Sequence, residues 1–387
     1  MRFLLRTTAL LTALAVLLPG PLSAQSAFTF GNIAVFSKGN GNDPLNNQAT
    51  QINILELSST VLNQATPVQT IDVSTPLNLW TSGTANTPAY LKLSPNGSLT
   101  FTGHVGQSTG GQNINTVVSR AAAAISIANG VPTIGTTYTG IGGNQTRSAI
   151  TNDGVNYYII DQGGIYRNGD TSPALAGNFR TGQIINNQSY VSMTSSSSTS
   201  IVVNSIDPAL PSSPGSVSIA GLPGLTNDNN TNDFILLSST GEGGPVDLLY
   251  TTASGGANPG IRKFSFDGTN WISRGSANIT GGAFGITARI NPLGGFDIFY
   301  TTGNGASVGN RLEFQTDYSL FDQNISLGGA NILYTAPANT TLAGVALAVP
   351  EPTTYALVGL TLVGAGAVGL QRRRQLSGMA KARFRRM

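Results

Sequence analysis

The sequence copies itself at a fixed distance. Val246-Asp-Leu-Leu-Tyr-Thr-Thr252 aligns with Phe296-Asp-Ile-Phe-Tyr-Thr-Thr302, fifty positions further on. Without a gap, the same offset pairs Phe234 with Phe284, Gly255 with Gly305, Phe264 with Phe314, Asp267 with Asp317 and Trp271 with Phe321. Aromatic and turn residues thus recur together, as they do when each unit repeats one small sheet. Ile332-Leu-Tyr-Thr335 reads as the start of a further copy. Asn152-Asp-Gly154 before Tyr157 and Pro95-Asn-Gly97 before Leu99 read as blurred earlier ones.

Within the units, short runs of Val, Ile, Thr, Tyr and Phe alternate with Gly, Asn, Asp, Ser and Pro clusters, the strand-and-turn pattern. Predicted strands include Ile33–Phe36, Ile52–Leu57, Leu99–Thr102, Tyr157–Ile160, Ser189–Met193, Phe234–Leu237 and Asp297–Tyr300. Ala121–Ala124 is the one helix-like patch, and its β-branched neighbours make it a strand too. A strand-only period near 50 predicts an all-β chain, a β-propeller of four-stranded blades. Residues 28–349 have room for six or seven of them. Closure is favoured because an open row would leave an unpaired edge that templates aggregation. The strand near Ile33–Phe36 is expected to join the last blade beside Gly344–Val349. A β-solenoid and a pair of β-sandwiches are the competing architectures.

Composition narrows the chemistry. Of 387 residues 10% are charged, 48 are glycine, none is cysteine and one is histidine. Disulfides, thiolate nucleophiles, cysteine-ligated zinc and multi-histidine metal cages are excluded. The formal charge of +3 resides at the ends: Arg2 and Arg6 at the start, and Arg372, Arg373, Arg374, Lys381, Arg383, Arg385 and Arg386 at the finish. The body between residues 28 and 349 keeps 11 basic and 16 acidic residues. It therefore lacks the basic footprint of a nucleic-acid binder.

Both ends read as targeting segments. Residues 1–26 have the plan of a signal peptide: Arg2 and Arg6, the apolar run Leu10–Leu18, the break at Pro19-Gly-Pro21, then small residues suited to cleavage after Ala24 or Ser26. A signal helix is expected there. Near the other end, Val349-Pro350-Glu351-Pro352 precedes an uncharged stretch from Tyr355 to Leu370, predicted as a transmembrane helix, which Arg372, Arg373 and Arg374 stop. Residues 375–387 form a basic tail, and clustered arginines place it in the cytoplasm with the body outside.

The order Pro-Glu-Pro, apolar helix, arginine cluster resembles the PEP-CTERM sorting signal over residues 350–374. That resemblance implies that exosortase, a membrane-embedded cysteine peptidase, processes the chain. It makes Pro350, Glu351 and Pro352 the motif which that enzyme recognises. Thirteen residues follow Arg374, more than such tails often carry. Residues 28–349 resemble secreted bacterial β-propeller proteins of unassigned function, through Ile261-Arg-Lys-Phe-Ser-Phe-Asp-Gly-Thr-Asn-Trp271, the Leu-Tyr-Thr-Thr strand before it and Leu342-Ala-Gly-Val-Ala-Leu347.

Candidate chemistry in the body is sparse. His104, in Thr-Gly-His-Val, could act as a general base, but a lone histidine beside a strand is expected to be a bonded turn or inter-blade residue. Asp153, Asp161, Asp170, Asp228, Asp233 and Asp267 lie in or near predicted turns, where such residues bond their own backbone. Asn227–Asp233 has the oxygen density of a calcium loop without its glycine and distal glutamate. Gly140-Ile-Gly-Gly143 and Gly303-Asn-Gly305 precede no helix and are expected in hairpin turns, not phosphate cradles. Trp271, Tyr157 and Tyr158 could stack sugars but are expected in the core, and Ser195–Ser198 reads as a flexible loop. No catalytic residue, metal or cofactor is predicted. The expected protein is an exported, non-catalytic binding or structural module of the cell envelope or extracellular matrix, partnered by exosortase, transiently by the inner membrane, and by a polysaccharide or surface protein. The alternative is a secreted propeller hydrolase or lyase with acids lining its channel.

Overall fold

The computed structural model describes residues 25–348, apart from 195–201, 213–214, 227–230, 242 and 257–258. The predicted signal helix, the transmembrane helix at 355–370, the basic tail and the Ser195–Ser198 loop lie outside the described residues. Among the described residues no helix is long and apolar enough to cross a membrane. Helix in the described residues is the single turn Ser74–Leu77 and the 3₁₀ turn Ile114–Thr116.

Six antiparallel sheets follow one another along the chain, so the count is six blades. Blade 2 runs from Thr146–Ile150 to Leu175–Ala176, blade 3 from Phe179–Ile185 to Ser218–Gly221, blade 4 from Thr231–Leu237 to Trp271–Asn278, and blade 5 from Ala283–Ile290 to Asn331–Thr335. Each has four strands in sequence order. Blade 1 is larger. Leu79–Ser82 and Lys92–Leu93 share one edge of Ser98–Val105, Ala49–Thr50 pairs with Leu79–Ser82, and Ser119–Ser126 and Pro132–Thr139 complete the sheet. Ala121–Ala124 lies in strand, as its neighbours require.

Blade 6 is built from both ends of the chain. Thr341–Leu347 pairs with Ile33–Lys38, which pairs in turn with Ile52–Leu57 and then Gln69–Asp72. The register sets Ile33 opposite Leu347 and Lys38 opposite Thr341, so the expected closure is present. Ala348 continues it, accepting from the Gly31 amide at 3.1 Å and donating to the Asn32 carbonyl at 2.9 Å.

Three sequence expectations need correction. The fifty-residue offset holds for the inner three strands of blades 4 and 5 and then fails. Trp271 opens the last strand of blade 4, while Phe321 sits in the longer connection before Asn331–Thr335. Ile332–Thr335 does not begin a new unit; it is the outer strand of blade 5, whose half-buried surface suits the same Leu-Tyr-Thr pattern. Gly140–Gly143 is the connection from blade 1 to blade 2, not a hairpin turn. Gly140 is small there because a Cβ would lie 2.5 Å from the buried Arg120 side chain.

Burial follows the two faces of each blade. Apolar clusters fill the spaces between neighbouring blades, for example Tyr250, Ile261, Ile286 and Ile298 between blades 4 and 5. Trp271, Tyr157 and Tyr158 are all buried, as expected of core aromatics. The inner strands approach closely enough to need glycine. A Cβ on Gly285 would lie 2.5 Å from the Ala343 carbonyl oxygen, and one on Gly344 would collide with the Leu91 amide. Gly329→Ala, whose Cβ would meet nothing within 4 Å, is expected to leave the melting temperature unchanged, a control for the glycines that cannot be replaced.

Candidate functional site

The inner strands run in one direction around the axis, so their last residues gather on one face, here called the lower face. Ile184 and Ile185, Ile235, Ile286 to Ala288 and Val345 to Leu347 meet Lys92 to Pro95 around a cavity of about 260 Å³ at the lower mouth of the channel. Its lining is mostly aliphatic because these positions alternate with side chains packed between blades.

Lys92 and Asp233 form an ion pair at 2.5 Å that ties blade 1 to blade 4. The ammonium also donates to the Phe234 carbonyl at 3.1 Å and lies 5.7 Å from the Phe234 ring centroid. Asp233 further accepts from the Phe234 amide at 2.8 Å and the Ile286 amide at 3.1 Å. Burial raises its carboxyl above the usual range, and the Lys92 ammonium works against that. Asp233 was expected in a turn; it lies in the inner strand of blade 4, and nothing in its polar local sequence distinguishes it from a turn former.

Above the ion pair the channel is polar and tight. Tyr90 is buried and stacks on Phe284 at 4.9 Å between centroids. Its hydroxyl, the Ser148 and Thr181 hydroxyls and the Nε atoms of Arg147 and Arg180 have no hydrogen-bond partner in the structure. Arg147 donates to Asn178 Oδ1 at 2.7 Å and to the Phe179 carbonyl, and is pushed down to about 9 by burial and by Arg180.

Two further buried ion pairs join blades. Arg120 meets Asp161 at 2.6 Å between blades 1 and 2, with the Tyr138 hydroxyl donating to the same carboxylate at 2.7 Å. Lys263 meets Asp317 at 2.9 Å between blades 4 and 5, and the Tyr250 hydroxyl donates to Asp317 at 2.7 Å. Burial acts to raise Asp317, but bonds from Ser319, Ser326, Tyr250 and Lys263 outweigh it and hold the carboxyl below its usual value. Asp161 holds its turn as expected, accepting from the Gly163 amide at 2.9 Å through Oδ1, and its Oδ2 adds the inter-blade pair that the sequence did not show. Asp153 and Asp267 do hold turns: Asp153 accepts from the Val155 and Asn156 amides at 2.8 Å, and Asp267 from the Thr269 and Asn270 amides at 2.8 Å. Asp170 likewise accepts from the Arg167 amide at 2.9 Å. Asp228 and most of the Asn227–Asp233 segment lie outside the described residues, and among the described residues no three His, Asp or Glu side chains group as a metal site.

His104 lies inside the strand Ser98–Val105, buried, with Nδ1 3.0 Å from the Val117 carbonyl oxygen. Burial, reinforced by Arg120, pushes it down to about 4 from 6.5. The unfolded chain takes up a proton below pH 6.5 while the folded one does not, so this contribution is intact above pH 6.5 and is lost as pH falls toward 4. The loss approaches ~3 kcal/mol. Urea denaturation between pH 7 and 4 is expected to show it, with a flatter profile for His104→Gln.

Lys38 escaped notice in the sequence because it sits at the end of an apolar strand, where lysine is ordinarily solvated. It is buried, and its Nζ donates to the carbonyls of Ser82, Gly83 and Ala85 at 3.1–3.2 Å. Burial pushes it down to about 7. It fastens the Ser82–Ala85 loop to blade 6.

Two clefts flank blade 5. One, of about 510 Å³, has Asn278, Asn310, Arg311, Glu313 and Gln315 on its walls. The Tyr300 hydroxyl lies 3.0 Å from both Glu313 Oε2 and Gln315 Oε1. The other, of about 610 Å³, lies between blades 5 and 6 around Arg289, Asp297, Phe314 and Tyr318.

Residues 348–375 match the PEP-CTERM protein-sorting motif, so the chain carries that motif, which implies export and sorting by exosortase. No curated protein matches the chain. Among solved structures, TolB from Acinetobacter baumannii is similar at 11% identity and a TM-score of 0.31, over 78% of this chain and 52% of TolB. The chain thus spans about half the length of TolB. A protein of unknown function from Bacteroides caccae is similar at 12% identity and a TM-score of 0.37, over 80% of this chain and 99% of that one.

Proposed function

We propose that this PEP-CTERM-bearing chain is an exported, non-catalytic binding module of the cell envelope or extracellular matrix. In this reading, residues 355–370 hold it in the inner membrane until exosortase acts at Pro350-Glu351-Pro352, and the released propeller binds a polysaccharide. The observation that carries it is where the ring closes: among the described residues the last closing hydrogen bonds are made by Ala348, and the sorting motif starts at that residue. Cleavage at the motif therefore leaves the ring whole.

The state of the acids supports a binding role. Asp233, Asp161 and Asp317 each sit in an ion pair with further donors on the same carboxylate. A general acid or base needs a free face toward its substrate. The exposed Asn278, Thr280 and Arg311 side chains of the cleft offer hydrogen-bonding groups that saccharide hydroxyls match, while the buried Asn310 and Gln315 amides are bonded within the fold.

Glycan-array binding by the processed protein tests this reading. A polysaccharide ligand is expected, with binding about tenfold weaker in Arg311→Ala, a loss of ~1.4 kcal/mol. Arg311 is half exposed and its removal leaves the strand intact. Depolymerisation of a bound glycan would instead support the hydrolase or lyase reading. Intact mass is expected to show a mature chain without residues 1–26 and without 355–387.

A further inference from the structure

We propose that the lower face at blades 5 and 6 is a membrane-docking surface, seated on the bilayer while the precursor is anchored. The inference rests on the anchor reading of residues 355–370 given above. Large apolar side chains stand exposed on this face: Leu293 at 97%, Leu320 at 71%, Tyr318 at 70% and Phe30 at 58%, with Leu62 and Ile290 beside them. They come from three adjoining connections and, for Phe30, from the segment before Ile33–Lys38. Leu293 is in the turn between Ala283–Ile290 and Phe296–Thr302, Tyr318 and Leu320 follow Arg311–Asp317, and Leu62 follows Ile52–Leu57.

These connections are in contact. Gly295 packs on Tyr318, Arg289 Nη1 lies 3.4 Å from Ser59 Oγ, and the Gln64 amide donates to the Leu333 carbonyl at 2.8 Å. Phe30 precedes Gly31, whose amide bonds Ala348. The patch therefore surrounds the point where the chain leaves the ring. Contiguous exposed apolar surface of this kind marks an interaction face.

Chain length identifies the occupant. Between Ala348 and Tyr355, the first residue of the apolar run, there are only residues 349–354. Six residues reach at most ~20 Å when fully extended. The anchor thus holds this face, and not the opposite one, against the lipid headgroups. Tyrosine, phenylalanine and leucine are side chains that partition into that interface. Asp322 and the Arg289–Asp297 pair bring little net charge, so attachment depends on the apolar groups and not on anionic lipid.

The chain has no cysteine, so single labels are unambiguous. Full-length L293C and V308C variants, the latter exposed on the upper side of blade 5, would carry an environment-sensitive fluorophore in phosphatidylethanolamine–phosphatidylglycerol vesicles containing spin-labelled lipid. Strong lipid quenching is expected at position 293 and none at 308. Adding Tyr318→Asp and Leu320→Asp is expected to abolish quenching at 293 while leaving the near-ultraviolet circular dichroism unchanged. A protein that floats with the vesicles but is unquenched at 293 overturns the docking alone. Energy transfer between labelled copies without lipid quenching overturns it in favour of a self-interface. Failure to float refutes the anchor reading and the docking with it.

Discussion

A chain ending at Thr340 is expected to show no cooperative melt and to be digested by protease throughout, whereas one ending at Ala348 should melt like the full-length protein. Every residue of Thr341–Leu347 is buried. The strand supplies the inner edge of blade 6, and through Gly344 and Ala89 it also contacts blade 1 by a backbone hydrogen bond of 2.8 Å. Without it, Ile33–Lys38 becomes an open edge and both apolar clusters beside it lose a wall. Gly344→Val should reproduce much of the loss in the full chain, because the colliding Leu91 amide is backbone and cannot turn away. Circular dichroism melts of the four proteins decide the matter. A stable ring from the chain ending at 340 would show that closure is dispensable.

The second large effect is expected from Asp161→Ala. Its removal strands the Arg120 guanidinium, fully buried and otherwise bonded to backbone carbonyls, those of Val117, Ile141, Asn144 and Asn115. An uncompensated buried charge costs ~3–5 kcal/mol. For a domain of this size that is a fall of about 10 °C in melting temperature. The double variant Arg120→Met, Asp161→Leu should recover most of it, since apolar side chains of similar volume often replace a buried ion pair without loss. If Asp161→Ala melts within about 2 °C of the parent, the pair is not a joint between blades 1 and 2.

Strand identity was legible in the sequence because it depends on local pattern, and closure because a row of sheets left open exposes an unpaired edge. The turn before Tyr157 and the turn before Leu99 do precede the second strands of blades 2 and 1. The blade count was blurred because blade 2 is short and blade 1 takes in additional strands, so an average period cannot resolve six from seven. Asp233, Lys38 and the inter-blade half of Asp161's role were missed for a different reason. A charged residue at a strand end or beside a turn looks the same whether it faces water or a partner some forty to one hundred and forty positions away. Long-range pairing leaves no periodic trace. His104 was read as a bonded turn or inter-blade residue; it is bonded and buried, but inside a strand of blade 1 and opposite Arg120 of the same sheet.

The ring's fastening also fixes an order of events. Ile33–Lys38 is synthesised long before its partner Thr341–Leu347. During export that early strand stands with one side unpaired until the segment just ahead of the sorting motif arrives. The hazard of misassembly is therefore governed by transit time, not by the stability of the finished ring. Slowing export should raise aggregation even in a variant whose melting temperature is unaltered.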